Sequence, residues 1–141
     1  MDFFDMKLKD RPFANIKNGK KTIELRLYDD KRRQLDIGDY IIFTSFENCT
    51  EQIAVKIKGL FRADTFLELF EDVSIEKCGN EPEVTKETLA QKMREYYSEE
   101  EEIKYGVLGI KIELVDLEEV LMKREKSYQN MMDYLFPDGM K

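Results

Sequence analysis

Short segments in which apolar and polar residues alternate constrain the fold of this chain more than any other feature. In the segment 22–28, every second residue is apolar: Ile23, Leu25 and Leu27. The residues between them point to the other face of an extended strand: Thr22, Glu24, Arg26 and Tyr28. Strand patterns occupy four further segments: 3–8, 40–46, 53–57 and 105–115. Together they predict a sheet of about five or six short strands.

Helical patterns lie between and after these strands. They begin at four positions: Pro12, Thr65, Thr85 and Asp116. Strands that enclose a helical insertion predict an α+β fold built on a small mixed β-barrel, with helices at one end and side and a C-terminal helical extension. We expect the apolar face of segment 22–28 to fill the barrel. We also expect Tyr96 and Tyr97, on the third predicted helix, to lie in the core.

The residue types that are missing narrow the chemistry. The 141 residues include no His and no Trp, which excludes catalytic triads with a histidine base and zinc sites with histidine ligands. Cys49 and Cys78 are too far apart for a redox motif and too few for a thiolate metal site. We expect both cysteines to be reduced and partly buried, and we expect neither a metal nor a cofactor.

The sequence also bears on localisation. No window offers about 18 consecutive apolar residues. The acidic start, Met1–Asp5, lacks the basic region and apolar region of a secretory leader. We therefore expect a protein of the cytoplasm without a membrane partner.

Charge is distributed unevenly along the chain. The 23 basic and 30 acidic residues give a formal net charge of −7. Segment Lys7–Arg33 holds ten basic and four acidic residues, a net of +6, so the remainder carries −13. The overall charge opposes indiscriminate nucleic-acid binding, whereas a basic face on an acidic body can hold one anionic ligand. We interpret the acidic run Glu99–Glu102 as the solvated end of a helix, because its side chains fan out.

One motif lies inside the basic segment. Residues 19–26 have the pattern G-x-K-x-x-E-x-R, formed by Gly19, Lys21, Glu24 and Arg26. This pattern resembles the ASCH family, whose domains are PUA-like barrels. Three further segments resemble family elements in the expected order: 7–16, 35–43 and 105–110. The resemblance implies an ASCH domain over residues 1–115 and a helical extension over 116–141 that belongs to the same globular unit.

The resemblance implies binding of RNA or a nucleotide-like ligand in a cleft lined by this motif. Glu24 and Arg26 share one face of a strand, and Lys21 stands at its entrance, so the cations can hold phosphate while the carboxylate orients a base or ribose. Gly19 allows the turn that brings them there. Tyr28 on the same face is a candidate for stacking on a base, and Tyr105 is a candidate for closing the cleft. The residues alone favour the alternative, an exposed cross-strand ladder of charges, and only the resemblance makes the binding site the leading interpretation.

The family also includes acetylcytidine amidohydrolases, with a catalytic set that resembles Lys, Thr and Glu. This chain supplies Lys21 and Thr22, but Glu24 stands where the family has its threonine nucleophile. A carboxylate is a poor nucleophile for amide acyl transfer, because it would form a mixed anhydride. An enzyme built on Lys21, Thr22 and Glu24 is therefore the less favoured alternative, as is a nuclease.

The C-terminal extension has two interpretations. Its apolar residues recur at helical spacing, and the segment that includes Met131, Met132 and Phe136 is expected to fold back over the barrel. In the alternative, this helix packs against a partner protein or a second copy of the chain, which would make a homodimer.

Overall fold

The computed structural model describes residues 1–139. Within this range the strands are β1 Phe3–Leu8, β2 Ile23–Leu27, β3 Tyr40–Ser45, β4 Gln52–Ala63 and β5 Val107–Val115. The helices are α1 Asp10–Lys17, α2 Phe66–Asp72, α3 Lys86–Lys92, α4 Glu99–Tyr105 and α5 Leu117–Leu135. Short 3-10 turns cover Arg32–Gln34 and Met93–Glu95. The predicted strands are all present, but β4 continues past its expected end at residue 57, through a bulge between Ile57 and Gly59.

The strands form one curled, half-barrel sheet in the order β1-β3-β4-β5-β2. Strands β1 and β3 are parallel and the other pairs are antiparallel, so the sheet is mixed. This arrangement confirms the predicted α+β fold on a small mixed barrel. Strands β1 and β2 are its two edges. The opening between these two edge strands is called the seam below, and it positions the candidate site.

Apolar side chains form three clusters around the sheet. The first lines one face of the sheet and includes Leu108 and Ile110 of β5. The second lies beneath α2 and α3, and the third lies beneath α5. The prediction that the apolar face of β2 fills the barrel is wrong, because its three residues belong to the second cluster: Ile23, Leu25 and Leu27. Their neighbours on β2 face the first cluster instead, since Glu24 is in register with Ile110 and Arg26 with Leu108.

The acidic run begins a helix and does not end one. The Ser98 side chain accepts the backbone N–H of Glu101, and the Glu101 side chain accepts the N–H of Ser98, which is a capping box. Helix periodicity then turns Glu102 inward, where only 3% of it is exposed. The solvated interpretation of the run is therefore wrong for Glu102. The core assignment of Tyr96 is also wrong, because this residue is half exposed, whereas Tyr97 packs against the second cluster.

Helix α5 covers the sheet only with its first turns. Val120 is buried, and Leu117 and Leu121 pack beside it in the third cluster. The expectation that the later apolar residues fold back over the barrel is wrong for Met131 and Phe136, which are exposed, whereas Met132 is half-buried. Contact of the second half of α5 with a partner or a second copy of the chain stays a prediction. Sedimentation velocity, which measures the oligomeric state, tests it directly.

Two further observations complete the fold. Cys78 is buried as expected, but Cys49 is exposed, which corrects the expectation for that residue. None of the helices in residues 1–139 combines the length and apolar character needed to cross a membrane.

Candidate functional site

The turn between α1 and β2 places Lys21 at the edge of the sheet. Gly19 ends α1 with φ +83°, a left-handed conformation that glycine adopts without strain. The N–H of Lys21 then donates to Asn15 O at 2.9 Å, and Lys21 forms an isolated β-bridge with Cys78. Gly79 packs against the stem of this lysine, since a Cβ on Gly79 would lie 3.3 Å from Lys21 Cβ. The insertion loop thus holds Lys21 in place.

Lys21, Glu24 and Arg26 form one buried ionic cluster, called the triad below. Lys21 Nζ lies 2.7 Å from Glu24 Oε1, and Arg26 Nη2 lies 2.8 Å from Glu24 Oε2. Arg26 Nε donates to the same Oε2 at 3.0 Å, and the N–H of Leu25 donates to Oε1 at 3.2 Å. The side chains of Lys21, Glu24 and Arg26 are only 10%, 4% and 14% exposed. The predicted association of these residues is therefore present, but as a buried cluster and not as an exposed ladder.

Glu24 and Arg26 are both ionised at neutral pH. Burial raises the pKa of Glu24, but the charges and hydrogen bonds of Lys21 and Arg26 lower it by a larger amount, so that the pKa is about 2. For Arg26, burial lowers the pKa, and the stronger combined effect of its partners, chiefly Glu24, raises it above the usual value. Burial raises the pKa of the neighbouring Cys78 thiol to about 12, so this cysteine is neutral. The cluster carries two positive charges and one negative charge.

The triad lies at the seam. Arg26 on edge strand β2 donates from Nη2 to Lys7 O on edge strand β1 at 3.0 Å. Lys31, after β2, donates from Nζ to Asp5 O on the same edge at 3.1 Å. Both cationic side chains thus satisfy backbone carbonyls that no neighbouring strand pairs, at the place where the barrel is left open.

The remaining hydrogen-bonding capacity of the triad belongs to its cations. Each Glu24 oxygen already has two donors, which uses both of its lone pairs. Lys21 Nζ has three donor hydrogens, and within residues 1–139 its one partner is Glu24. Arg26 Nη1 has no hydrogen-bond partner in the same range. The arrangement can therefore donate to an anion, while Glu24 fixes the positions of both cations.

The predicted aromatic residues lie in different places. Tyr28 packs against the first cluster, and the guanidinium carbons of Arg33 and Arg62 lie 4.5 and 4.1 Å from its ring centroid. Tyr105 is the last residue of α4 and packs against the second cluster, with Lys104 Nζ 5.0 Å from its ring. The structure thus places Tyr28 on the triad's side of the sheet and does not bring Tyr105 to it.

Sequence reasoning missed one aromatic residue beside the triad, Tyr97, and a second next to it, Tyr96. Burial raises the pKa of Tyr97, and the charges of Arg26 and Glu24 act on it in opposite directions, which shows how near it lies. Tyr96 next to it is exposed and has Lys9 Nζ 5.3 Å from its ring centroid. The sequence carries no signal that separates the two tyrosines, because consecutive residues such as i+7 and i+8 can both lie on the apolar face of a helix.

Other chemistry has less support at this site. Thr22 is half-buried, and its N–H donates to Lys77 O. Residues 1–139 contain no group of three or more His, Cys, Asp or Glu side chains placed to hold a metal ion. Two surface depressions of about 600 and 400 Å³ lie along α3 and beside α2, and neither is lined by the triad.

Comparison with known proteins agrees with this fold. The hypothetical protein PH0355, known from a crystal structure, is 40% identical over 82% of this chain and 100% of its own length, with a TM-score of 0.69. Protein PF0455 from Pyrococcus furiosus, solved by NMR, is 36% identical over 82% of this chain and 99% of its own, with a TM-score of 0.60.

A more distant structure shares the fold alone. The ASCH protein from Zymomonas mobilis is 12% identical over 81% of this chain and 73% of its own, with a TM-score of 0.51. None of the curated proteins matches the chain. The model of the ASCH domain matches residues 6–116, which include the triad, the seam and all five strands except the start of β1. The chain therefore belongs to the ASCH family.

Proposed function

We propose that the protein binds RNA, or a nucleotide-like ligand, at the triad. The observation that carries this proposal is the buried excess of positive charge at Lys21, Glu24 and Arg26, which leaves donors without partners at the seam. A phosphate group supplies the negative charge and the acceptor oxygens that these donors lack. ASCH domains are thought to bind RNA, which supports the same ligand class.

Each residue has a distinct role in this proposal. Lys21 and Arg26 donate to phosphate oxygens, and Glu24 is a positioning residue that keeps both cations in the cleft. Tyr96, which is exposed and lies next to Tyr97, is a better candidate for stacking on a base than Tyr105, which packs among the helices.

Binding fits this geometry better than hydrolysis through Glu24. A carboxylate with a pKa of about 2 is a weak general base at neutral pH. Its oxygens are also already occupied by four donors, so approach to a substrate would require it to abandon Lys21 or Arg26. The amidohydrolase built on Lys21, Thr22 and Glu24 therefore stays the less favoured alternative.

The test compares wild type with a triad in which all three charges are removed together, Lys21→Met/Glu24→Gln/Arg26→Met. Simultaneous replacement avoids a buried unpaired charge, which would unfold the protein for reasons unrelated to binding. We expect this variant to bind a labelled RNA oligonucleotide at least about tenfold more weakly, because it loses charge-assisted hydrogen bonds. Fluorescence anisotropy at about 50 and 200 mM salt is the measurement.

Lys58→Ala is the matched control, since it lowers the net charge by the same single unit at an exposed position of β4. We expect its affinity to stay near that of wild type. Equal affinity of the triad variant and wild type, with circular dichroism showing both folded, would overturn the proposal.

A further inference from the structure

Two arginines from distant parts of the chain meet on one tyrosine ring. Arg33 belongs to the short turn after β2, and Arg62 lies near the end of β4. Their guanidinium carbons lie 4.5 and 4.1 Å from the centroid of Tyr28. Both arginines are exposed. The two arginines, Arg33 and Arg62, together with the Tyr28 ring that holds them, are called the arginine pair below.

The arginine pair has no acidic partner in the part of the chain that the structure describes. Asp29, which is close in sequence, forms its ion pair with Arg32 at 3.1 Å. No carboxylate in residues 1–139 lies within 4 Å of the guanidinium nitrogens of Arg33 or Arg62. Two like charges are thus held together on one ring, in a protein whose net charge is −7. A stacked guanidinium still has N–H donors around its rim, so it can bind an anion without leaving the ring.

The arginine pair is adjacent to the triad. Arg62 and Arg26 are both in register with Leu108, one on each side of β5. Side chains in register share a face, so both arginines lie on the same side of the sheet as Leu108. Strands are about 4.8 Å apart, which separates the two backbone positions by about 10 Å. Arg26 is fixed by Glu24, and Arg62 stacks on Tyr28, so the two groups remain distinct.

We infer that the arginine pair is a second phosphate site and that the ligand is a strand of several nucleotides. This inference rests on the proposed function, because it takes the triad as the first site. A mononucleotide carries a single phosphate group, so it can fill only one of the two sites at a time. A single-stranded RNA carries a phosphate at every nucleotide and reaches both sites with successive phosphates.

The experiment uses two probes, an oligouridylate of about ten nucleotides and uridine monophosphate. For single strands, each phosphate contact contributes about 0.7 to the slope of log affinity against log salt concentration, so loss of this one phosphate site lowers the slope by about 0.7. We expect Arg33→Ala/Arg62→Ala to show this decrease with the oligouridylate and to bind uridine monophosphate as wild type does. Titrations at several salt concentrations measure both.

The control Lys58→Ala/Lys126→Ala removes two exposed positive charges elsewhere and should leave the slope unchanged. An unchanged slope in the arginine variant would overturn the inference, and so would equal affinity of wild type for both probes. The proposed function would survive either result if the triad variant still bound more weakly. A wild type that binds neither probe would overturn both.

Discussion

Two glutamates of this protein are equally buried but have different structural roles. Glu24 on β2 and Glu102 on α4 are each 3% exposed, and each pairs with an arginine. Glu102 has Arg94 at 2.5 Å and accepts the N–H of Phe66, the first residue of α2, at 2.5 Å. Glu102 therefore ties α4 to the start of α2, where an anion also complements the helix dipole. Glu24 instead holds two buried cations at the seam.

The difference lies in the balance of charge and donors. Glu102 neutralises one arginine that is 36% exposed, and its second oxygen satisfies a backbone N–H, so the arrangement is complete. Glu24 has two cations that are nearly as buried as itself, and their positive charge exceeds its own. A buried carboxylate alone thus indicates only structure, whereas an excess of buried positive charge around it indicates a place for an anion.

The largest expected effect is that of Glu24→Gln. This change leaves Lys21 and Arg26 buried without a counter-charge, which we expect to lower the free energy of unfolding by about 3–5 kcal/mol. Urea denaturation measures it. A loss below about 1 kcal/mol would contradict the view that Glu24 stabilises the two cations.

Acid should reduce the difference between wild type and Glu24→Gln. The pKa of Glu24 is about 2 when folded and 4.5 ordinarily, so its contribution to stability is complete above about pH 4.5 and is lost as the pH falls toward 2. We expect the difference in free energy of unfolding to be about 2 kcal/mol smaller at about pH 3 than at about pH 6. Urea denaturation at both pH values tests this, and a constant difference would show that the triad does not lower the pKa.

Glu102→Gln should have the smallest effect. The amide oxygen can still accept the N–H of Phe66, and the lost pair with the partly exposed Arg94 is screened by solvent. We expect a loss of about 1 kcal/mol in free energy of unfolding and unchanged affinity for RNA. Weaker RNA binding by this folded variant would mean that the two glutamates are not as different as their surroundings indicate.

The sequence predicted most of the fold because alternation and capping are local signals. Segment 3–8 and the cap at Thr85 appear in the structure as expected. The failures came from tertiary context. Alternation shows that β2 has two faces but not which one faces the barrel, and here the helices cover the apolar face. The sequence Ser98 to Glu101 has the pattern of a capping box, which indicates a helix start. This pattern places Glu102 in the first turns of a helix, whereas we expected it at the end of one.

The site was predictable in part for the same reason. The sequence spacing of Lys21, Glu24 and Arg26 predicted that these side chains associate, and in the structure they form ion pairs. The arginine pair was not predictable, because Arg33 and Arg62 meet only through the curl of the sheet. Tyr105 failed as a predicted cleft residue because it ends α4 and faces the helices.

The strand order also has a consequence for biosynthesis. Strand β2, which carries Glu24 and Arg26, pairs with β5, so that Ile23 lies opposite Lys111. During translation the motif is therefore synthesised early, whereas its neighbouring strand β5 is synthesised only after most of the domain. Such long-range pairing slows folding and leaves the apolar face of β2 uncovered in the nascent chain. We therefore expect the triad to assemble late in folding, so that ligand binding there would report a complete domain.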